Sequence, residues 1–324
     1  MSQPLIFITG ATGFIGSHVV SQSLATGYKV RLSVRKEEQI IALRKVFSQH
    51  AANLDFAVIP DFTSQSRFGK ALEGVTYVFH LASPMPGKGS DFKSDYLKPA
   101  VQGTIALLDA AKKFESIKRV VVVSSLFALI PVESLSTGKF SAKEGLNHTI
   151  PADPEMSFPE DPRASGGQKY HVSKILAHRA TLEWVQTNKP AFGLVTLHPS
   201  FVFGRNITQT SAEGLDGTNA MLWGCLHSAK PFIFLSAVDV RDIALAHIKA
   251  LEVGIGAGVE EFILITEFVR SKYPALDVKL EGPFEEPPEV STNKAETVLG
   301  MKWKPMEDTV GSFLDQQLEL RAQL

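Results

Sequence analysis

Residues 5–16, LIFITGATGFIG, run from a β-rich apolar segment straight into a helical pattern through Gly10, Gly13 and Gly16. Glycines at these places allow a tight turn, let backbone approach a pyrophosphate, and permit close packing of helix on strand. The amides and dipole of the following helix N-terminus favour an anion at the same spot. A glycine triad alone is a weak signal, and a merely tight turn is the alternative. Here it lies between a strand and a helix at the head of a βαβ unit, which is the confirming context. Gly10, Thr12, Gly13, Phe14, Ile15 and Gly16 are therefore candidate dinucleotide contacts. The spacing GxxGxxG differs from the GxGxxG of standard dinucleotide folds.

The rest of the chain repeats the alternation that this unit begins. Leu5–Thr9, Lys29–Val34, Leu54–Ile59, Tyr77–His80, Arg119–Ser124 and Gly193–His198 read as strands. Their apolar runs are continuous, as in a parallel sheet covered on both faces. Helical patterns stand between them, clearest at Phe14–Ala25, Ala100–Phe114 and Tyr170–Thr187. Such an order implies an α/β fold, a Rossmann-like doubly wound parallel sheet. After Pro199 the pattern changes. Residues 200–236 are rich in Gly, Thr, Ser and Phe; Val240–Glu252 reads as a helix and Glu261–Thr266 as a strand. The Pro-rich stretch 283–288 precedes a short helix near Ser291 and a last one at Glu307–Leu320. The expected division is a nucleotide domain of residues 1–199 plus 237–266, with a smaller, discontinuous substrate lobe of 200–236 plus 267–324.

The formal net charge of −1 in 324 residues gives no general attraction to nucleic acid or anionic lipid. A lone cysteine, Cys225, excludes an internal disulfide and fits a reducing compartment. The apolar run at the N-terminus is too short for a signal sequence or a membrane span. The expectation is a cytoplasmic protein with no membrane or nucleic-acid partner, in which the sequons at Asn147 and Asn206 are chance matches.

The second strand ends in Arg35-Lys36, where an NAD site places an acid about 20 residues beyond the glycine loop. Arg35 can stack on adenine and pair with a 2′-phosphate, with Lys36 adding charge, which favours NADPH (NADP+). The alternative is two solvated residues at a helix start. Arg31 points to the other face. Asp61, or the next backbone amide at Phe62, can meet the adenine edge; Asp61 can equally cap the next helix. Leu81, Ala82 and Ser83 are small or apolar enough to line the cofactor, whereas His80 reads as a satisfied core histidine.

Strand Val120–Val123 ends in Ser124-Ser125, at the carboxyl edge where open α/β sheets bind ligands. Tyr170 and Lys174, one turn apart in YHVSK, share a helical face. The tyrosine would protonate a carbonyl oxygen as hydride reaches carbon, the serine would hold that oxygen, and the lysine would favour the tyrosinate by lowering its pKa. An isolated YxxxK is more often a surface pair. Here the glycine loop and the strand-end serines support it.

With these residues in view, the chain resembles an extended short-chain dehydrogenase/reductase over essentially its full length. The matching stretches are TGATGFIG at 9–16, HLASP at 80–84, KPAVQGT at 98–104, VVVSSL at 121–126, YHVSK at 170–174, HPSFVFG at 198–204 and VDVRDIALAH at 238–247. Within that family it is most similar to the dihydroflavonol and cinnamoyl-CoA reductase branch, which includes fungal aldehyde and ketone reductases of the methylglyoxal-reductase type. The resemblance implies Ser125 rather than Ser124, Tyr170 and Lys174 as the catalytic set. It also implies that Lys174 and Tyr170 contact the cofactor, Lys174 at the nicotinamide ribose, and that Pro199 and Val202 line the nicotinamide pocket. No metal is implied, and family members occur as monomers and homodimers.

Leu126-Phe127 after the serine departs from the family pattern and implies a bulkier substrate side. Residues 126–165 carry Glu133, Lys139, Glu144 and Met156, to which no role is assigned. Asp239 reads as the cap of the helix starting at Val240, with Asp242 favourable to its dipole. Phe201, Phe203, Met221, Leu222, Trp223 and Leu226 form either a substrate wall or lobe core. Trp303 and the final helix are expected to pack the lobe shut. The leading expectation is an NADPH-dependent reductase of aldehydes or ketones acting on a small-molecule carbonyl substrate. A hydroxysteroid dehydrogenase/isomerase or nucleotide-sugar epimerase is an alternative on the same fold. Residues 200–236 offer only Arg205 and Lys230 to a diphosphate, which argues against an epimerase. A non-catalytic NADPH-sensing scaffold is the third possibility, and the intact Ser/Tyr/Lys set argues against it.

Overall fold

The computed structural model describes residues 3–87, 89–134, 140–228, 237–256, 258–266 and 289–322; Lys139, Lys230 and the Pro-rich stretch 283–288 lie outside them. The strands are β1 (Leu5–Thr9), β2 (Lys29–Val34), β3 (Leu54–Val58), β4 (Tyr77–His80), β5 (Arg119–Val123), β6 (Ser141–Ala142), β7 (Gly193–Pro199), β8 (Phe201–Phe203), β9 (Ala237–Asp239), β10 (Val259–Leu264) and β11 (Glu289–Val290). The helices are α1 (Phe14–Ala25), α2 (Glu38–Val46), α3 (Gln65–Ala71), α4 (Lys98–Ala111), α5 (Pro162–Asn188), α6 (Gly217–Leu226), α7 (Val240–Lys249), α8 (Asn293–Val298) and α9 (Met306–Arg321). Seven strands form one sheet in the order β10-β7-β5-β4-β1-β2-β3, every neighbouring pair parallel. Two small pairs, β6 with β11 and β8 with β9, stand apart from it.

The continuous apolar strands are explained by what covers each face. Ile6, Ile8, Val121 and Leu197 pack with α1, α2 and α7, whereas Phe7, Val120, Val122 and Leu194 pack with α3, α4 and α5. Successive side chains of one strand point to opposite faces, so a sheet buried on both sides needs apolar residues at every position.

Several element boundaries differ from the sequence reading by one to three residues, and two cases stand out. β10 covers Val259–Leu264, two residues earlier than expected at each end. More consequentially, α5 begins at Pro162, so Ser165–Lys169 are helical and not a preceding loop. Asp161 supplies the N-cap by accepting from the Ala164 amide at 2.8 Å, and Pro162 occupies the first turn, where its missing N–H costs nothing. Paired glycines at 166 and 167 disguise the start. Gly166 lies close to Gly87, with only 3.2 Å between the Gly87 nitrogen and the place a Cβ would occupy. Tyr170 and Lys174 therefore stand inside a long helix, anchored on both sides.

The Asp239 cap is found as expected: its carboxylate accepts from the Arg241 amide at 2.7 Å. It also pairs with the Arg241 guanidinium and accepts from Thr309 on α9, while Asp242 accepts from the Lys304 amide. The final helix is thereby tied to the carboxyl edge of the sheet. Phe203, Leu222 and Leu226 are buried with Phe313 and Leu314 of α9, so these three are core; Phe201, Met221 and Trp223 are half-buried around them. Arg205 pairs with Glu319 of α9.

Candidate active site

The glycine loop wraps tightly around the end of β1. Gly10 adopts φ +74°, and a Cβ there would come within 2.9 Å of the Ala82 nitrogen. At Gly16 a Cβ would meet the Gly10 carbonyl oxygen at 2.0 Å, so α1 can sit this close only with glycine. Gly13 is different. The nearest protein atom to a Cβ there is 3.4 Å away, an ordinary contact, and its φ is −85°. The protein's own packing does not require a glycine at 13. Gly13 is also the N-cap of α1, with no side-chain cap and no acid in the first turn. The helix start offers its amides and dipole to an anion.

Thr9 joins this loop to the next one. Its hydroxyl oxygen accepts from the Leu81 and Ala82 amides at 3.1 Å each and bonds His80 Nδ1 at 2.8 Å. His80 is buried, and burial, then the Lys174 charge, pulls its pKa down to about 3. It is a neutral core histidine, as expected. Arg35 and Lys36 are exposed at the end of β2, their backbone amides bonded to the Gln39 side chain at 2.8 and 3.2 Å. Neither forms an ion pair with a described residue. Arg31 faces away and is occupied with Asp55 and the carbonyls of Ala71 and Glu73. Asp61 does not cap α3, whose N-cap is Ser64; its carboxylate closes a short turn on Thr63. The Phe62 ring stacks on Phe68.

At the end of β5, the Ser125 hydroxyl lies near enough to Tyr170 on α5 to pull the phenol's pKa down. The same oxygen accepts from the Phe127 amide at 3.2 Å, which starts the single turn Leu126–Leu129. Lys174 lies beneath, buried, donating from Nζ to Ser83 Oγ at 2.9 Å. Its Nζ is 5.4 Å from the centre of the Tyr170 ring. The sequence expectation that the lysine draws the phenol's pKa down is not met. Burial pushes Tyr170 up to about 12, against the pull of the Ser125 hydroxyl, although the residue as a whole is only half-buried. Burial also lowers Lys174 to about 8. A desolvated ammonium and a desolvated phenol each lean toward their neutral form.

Beside Lys174 lies a small cavity of about 20 Å³, lined in part by His80, Ser83, Ser124, Lys174 and His178. Pro199 is buried at the end of β7, and Val202 is buried in the sheet core, its carbonyl held by the Thr218 hydroxyl. Met156 packs at half burial in the cluster that holds Tyr170, and Glu144 reaches the Ile263 amide at the sheet edge. Phe127 stacks on His171 at 4.6 Å and meets Tyr170 edge-on at 6.1 Å.

Residues 6–259 match the model of the NAD dependent epimerase/dehydratase family. The chain belongs to that family. Among curated members it is 36% identical to ketoreductase sphI of Aspergillus fumigatus, covering 98% of this chain and 99% of that protein. Among solved structures it resembles Gre2 of Candida albicans in complex with NADPH, with TM-score 0.79, 26% identity, 98% of this chain and 99% of that one. It also shares the fold of yeast methylglyoxal/isovaleraldehyde reductase Gre2 at TM-score 0.78 and 23% identity, covering 99% and 100%. The resemblance read from the sequence stretches is thus borne out at the level of family and fold. The glycine loop follows the carboxyl end of β1 and Ser125 that of β5, and only β4 stands between these two strands in the sheet. Sequence reasoning passed over His178, His198 as an individual residue, and Glu261, because each lies in an unremarked helix or strand position. Only their convergence in space draws notice.

Proposed function

We propose that the chain is an NADPH-dependent reductase that converts aldehydes or ketones to alcohols. The observation that carries the reading is the Tyr170 hydroxyl set beside Ser125 at the carboxyl edge of the sheet, with the buried Lys174 ammonium 5.4 Å from the centre of its ring. NADPH, when bound, supplies hydride to the carbonyl carbon. Tyr170 holds the proton for the carbonyl oxygen, and a phenol with a pKa near 12 is fully loaded with it at neutral pH. Ser125 orients that oxygen. Lys174 has spent one of its three donors on Ser83, leaving two for the ribose hydroxyls. Similarity to a ketoreductase over nearly the whole chain, and to an NADPH-bound Gre2, supports both the reaction and the cofactor.

The cofactor fits the residues present. Gly10, Thr12, Gly13, Phe14, Ile15 and Gly16 take the pyrophosphate, and Arg35 with Lys36 takes the 2′-phosphate. Asp61 and the Phe62 amide take the adenine edge, and Leu81, Ala82, Ser83, Pro199 and Val202 surround the nicotinamide end. The division into residues 1–199 plus 237–266 and a substrate lobe of 200–236 plus 267–324 belongs to the same reading. So does a cytoplasmic location, on the strength of the single, buried Cys225 and its reducing compartment. No helix among the described residues is long and apolar enough to cross a membrane.

A panel of aldehydes and ketones followed by NADPH absorbance, with NADH alongside, tests the reaction. NADPH binding with no turnover on any carbonyl would favour a sensor instead. Arg35→Asp is expected to swing cofactor preference from NADPH toward NADH by about tenfold or more, since it replaces a phosphate-pairing cation by an anion. An unchanged ratio of the two kcat/KM values counts against phosphate recognition. The glycines separate cleanly. Gly13→Ala should leave the melting temperature nearly unchanged yet weaken NADPH binding about tenfold, because only the pyrophosphate needs that space. Gly16→Ala should destabilise the free protein by roughly 1–3 kcal/mol, through overpacking against Gly10. Equal melting temperatures for the two variants would contradict the assignment of the loop.

A further inference from the structure

Three buried groups from three different elements meet behind the active site. His178 lies on α5, His198 near the end of β7 and Glu261 on β10, and their ligating atoms fall within 4.8 Å of one another. The spacing suits a metal ion, but the groups are already committed to protein partners. His178 Nε2 donates to Glu261 Oε1 at 2.7 Å, and the other carboxylate oxygen accepts from the Gly145 amide. His198 Nδ1 meets the Ser125 carbonyl oxygen at 3.1 Å and its Nε2 meets Thr196 Oγ1 at 2.9 Å. A carbonyl only accepts, so Nδ1 carries the proton and Nε2 accepts from Thr196. That tautomer belongs to a neutral ring, and burial, then the neighbouring His178, holds His198 down at about 3. The two imidazoles pack edge to face with centroids 4.6 Å apart.

The placement has a consequence for the chemistry on both sides. His178 is four residues beyond Lys174 and eight beyond Tyr170, so all three lie on one stripe of α5. Anchoring His178 to Glu261 therefore fixes the rotation of the helix that presents Tyr170. On the other side, His198 pins the backbone carbonyl of Ser125, and with it the Cα–Cβ direction that aims the serine hydroxyl at Tyr170. The two rings pack against each other, so the Tyr170 helix and the Ser125 carbonyl are held through adjoining imidazoles, beside one buried carboxylate on the edge strand. Burial pushes that carboxyl's pKa up, but the His178 hydrogen bond, the two imidazoles and the Gly145 amide together hold it down at about 2. It is ionised across the working range.

We propose that His178, anchored to Glu261, and His198, packed edge to face against it, are positioning residues that set Ser125 against Tyr170 for the reduction, an inference that rests on the site reading above. Isosteric amides test it, because each keeps one imidazole nitrogen. The Asn amide nitrogen stands where Nδ1 does, and the Gln amide nitrogen where Nε2 does. His198→Asn keeps the bond to Ser125 and loses the one to Thr196, so kcat should stay within about threefold while the melting temperature falls, a hydroxyl having lost its partner. His198→Gln loses the Ser125 bond, and kcat should fall by about 10–100-fold with KM for NADPH nearly unchanged, the cost of misplaced reacting groups. The pattern inverts at His178, where Gln retains the donor to Glu261 and Asn does not. Equal kcat values for Asn and Gln at either position, whether both high or both low, overturn the proposal. Should His198→Gln fail to fold, the His178 pair gives the same reading with β7 intact. The failure of the underlying site reading is separate: it shows as an active Tyr170→Phe. Equal histidine variants in an enzyme that Tyr170→Phe inactivates defeat the positioning role alone.

Discussion

Tyr170→Phe is expected to lower turnover by about 10²–10⁴-fold while leaving NADPH affinity nearly unchanged, because it removes a general acid and little else. The ring keeps its edge-on packing with Phe127 and its place on α5. What is lost is one hydroxyl beside Ser125. Stability should rise slightly or hold, since the hydroxyl is in a desolvated place and its neighbour, Ser125 Oγ, keeps its bond from the Phe127 amide. The comparison to make is steady-state kinetics on the best carbonyl of the panel, with NADPH binding followed through tryptophan fluorescence. Turnover at the wild-type level in a folded, cofactor-binding variant would falsify the proton-donor role. The elevated pKa also gives a direction to the enzyme. A phenol near 12 is protonated throughout the neutral range, so reduction starts from a loaded donor, whereas alcohol oxidation must first remove that proton.

Lys174→Met is the second large effect, and it reads out in three ways. Loss of the ammonium removes a charge set beside the phenol and the donors assigned to the ribose. Both NADPH affinity and kcat should fall, kcat by about 10²-fold, as for removal of one electrostatic group from an enclosed site. The pH profile supplies the sign. Burial holds the Lys174 pKa at about 8 instead of 10.5, so the cation is present below 8 and is lost as pH rises through it. Wild-type activity should decline over that limb, and the variant should lack it. A limb that survives in the variant belongs to another group and refutes the assignment. Stability runs the opposite way. Because the folded pKa lies below the unfolded one, the unfolded chain binds the proton more tightly, and the ammonium destabilises the fold at neutral pH. The penalty is complete below about 8 and fades as pH rises toward 10.5. Methionine fills similar space without that penalty, so the melting temperature at pH 7 should go up as activity goes down. A variant damaged in both would mean that Lys174 matters chiefly through its contact with Ser83.

What the amino-acid order determined by itself is local. Continuous apolar strands alternating with helices dictate a parallel sheet, since each parallel connection needs a crossover and each face needs cover. The glycine loop declared its own geometry, because only glycine permits the 2.0 Å approach at Gly16. The Asp239 cap and the core role of His80 were legible for the same reason, each being decided by neighbours in the chain or by burial alone. The start of α5 was not. Paired glycines hid a helix that is capped by Asp161 and held against Gly87 from outside. Nor could spacing tell that Lys174 turns to Ser83, which lies 91 positions away, or that burial pushes the Tyr170 pKa up. The meeting of His178, His198 and Glu261 depends on β7 and β10 lying side by side at the sheet edge. Sequence periodicity reports which face a residue takes; which partner waits there, and how dry the place is, comes only from the folding of distant segments onto one another.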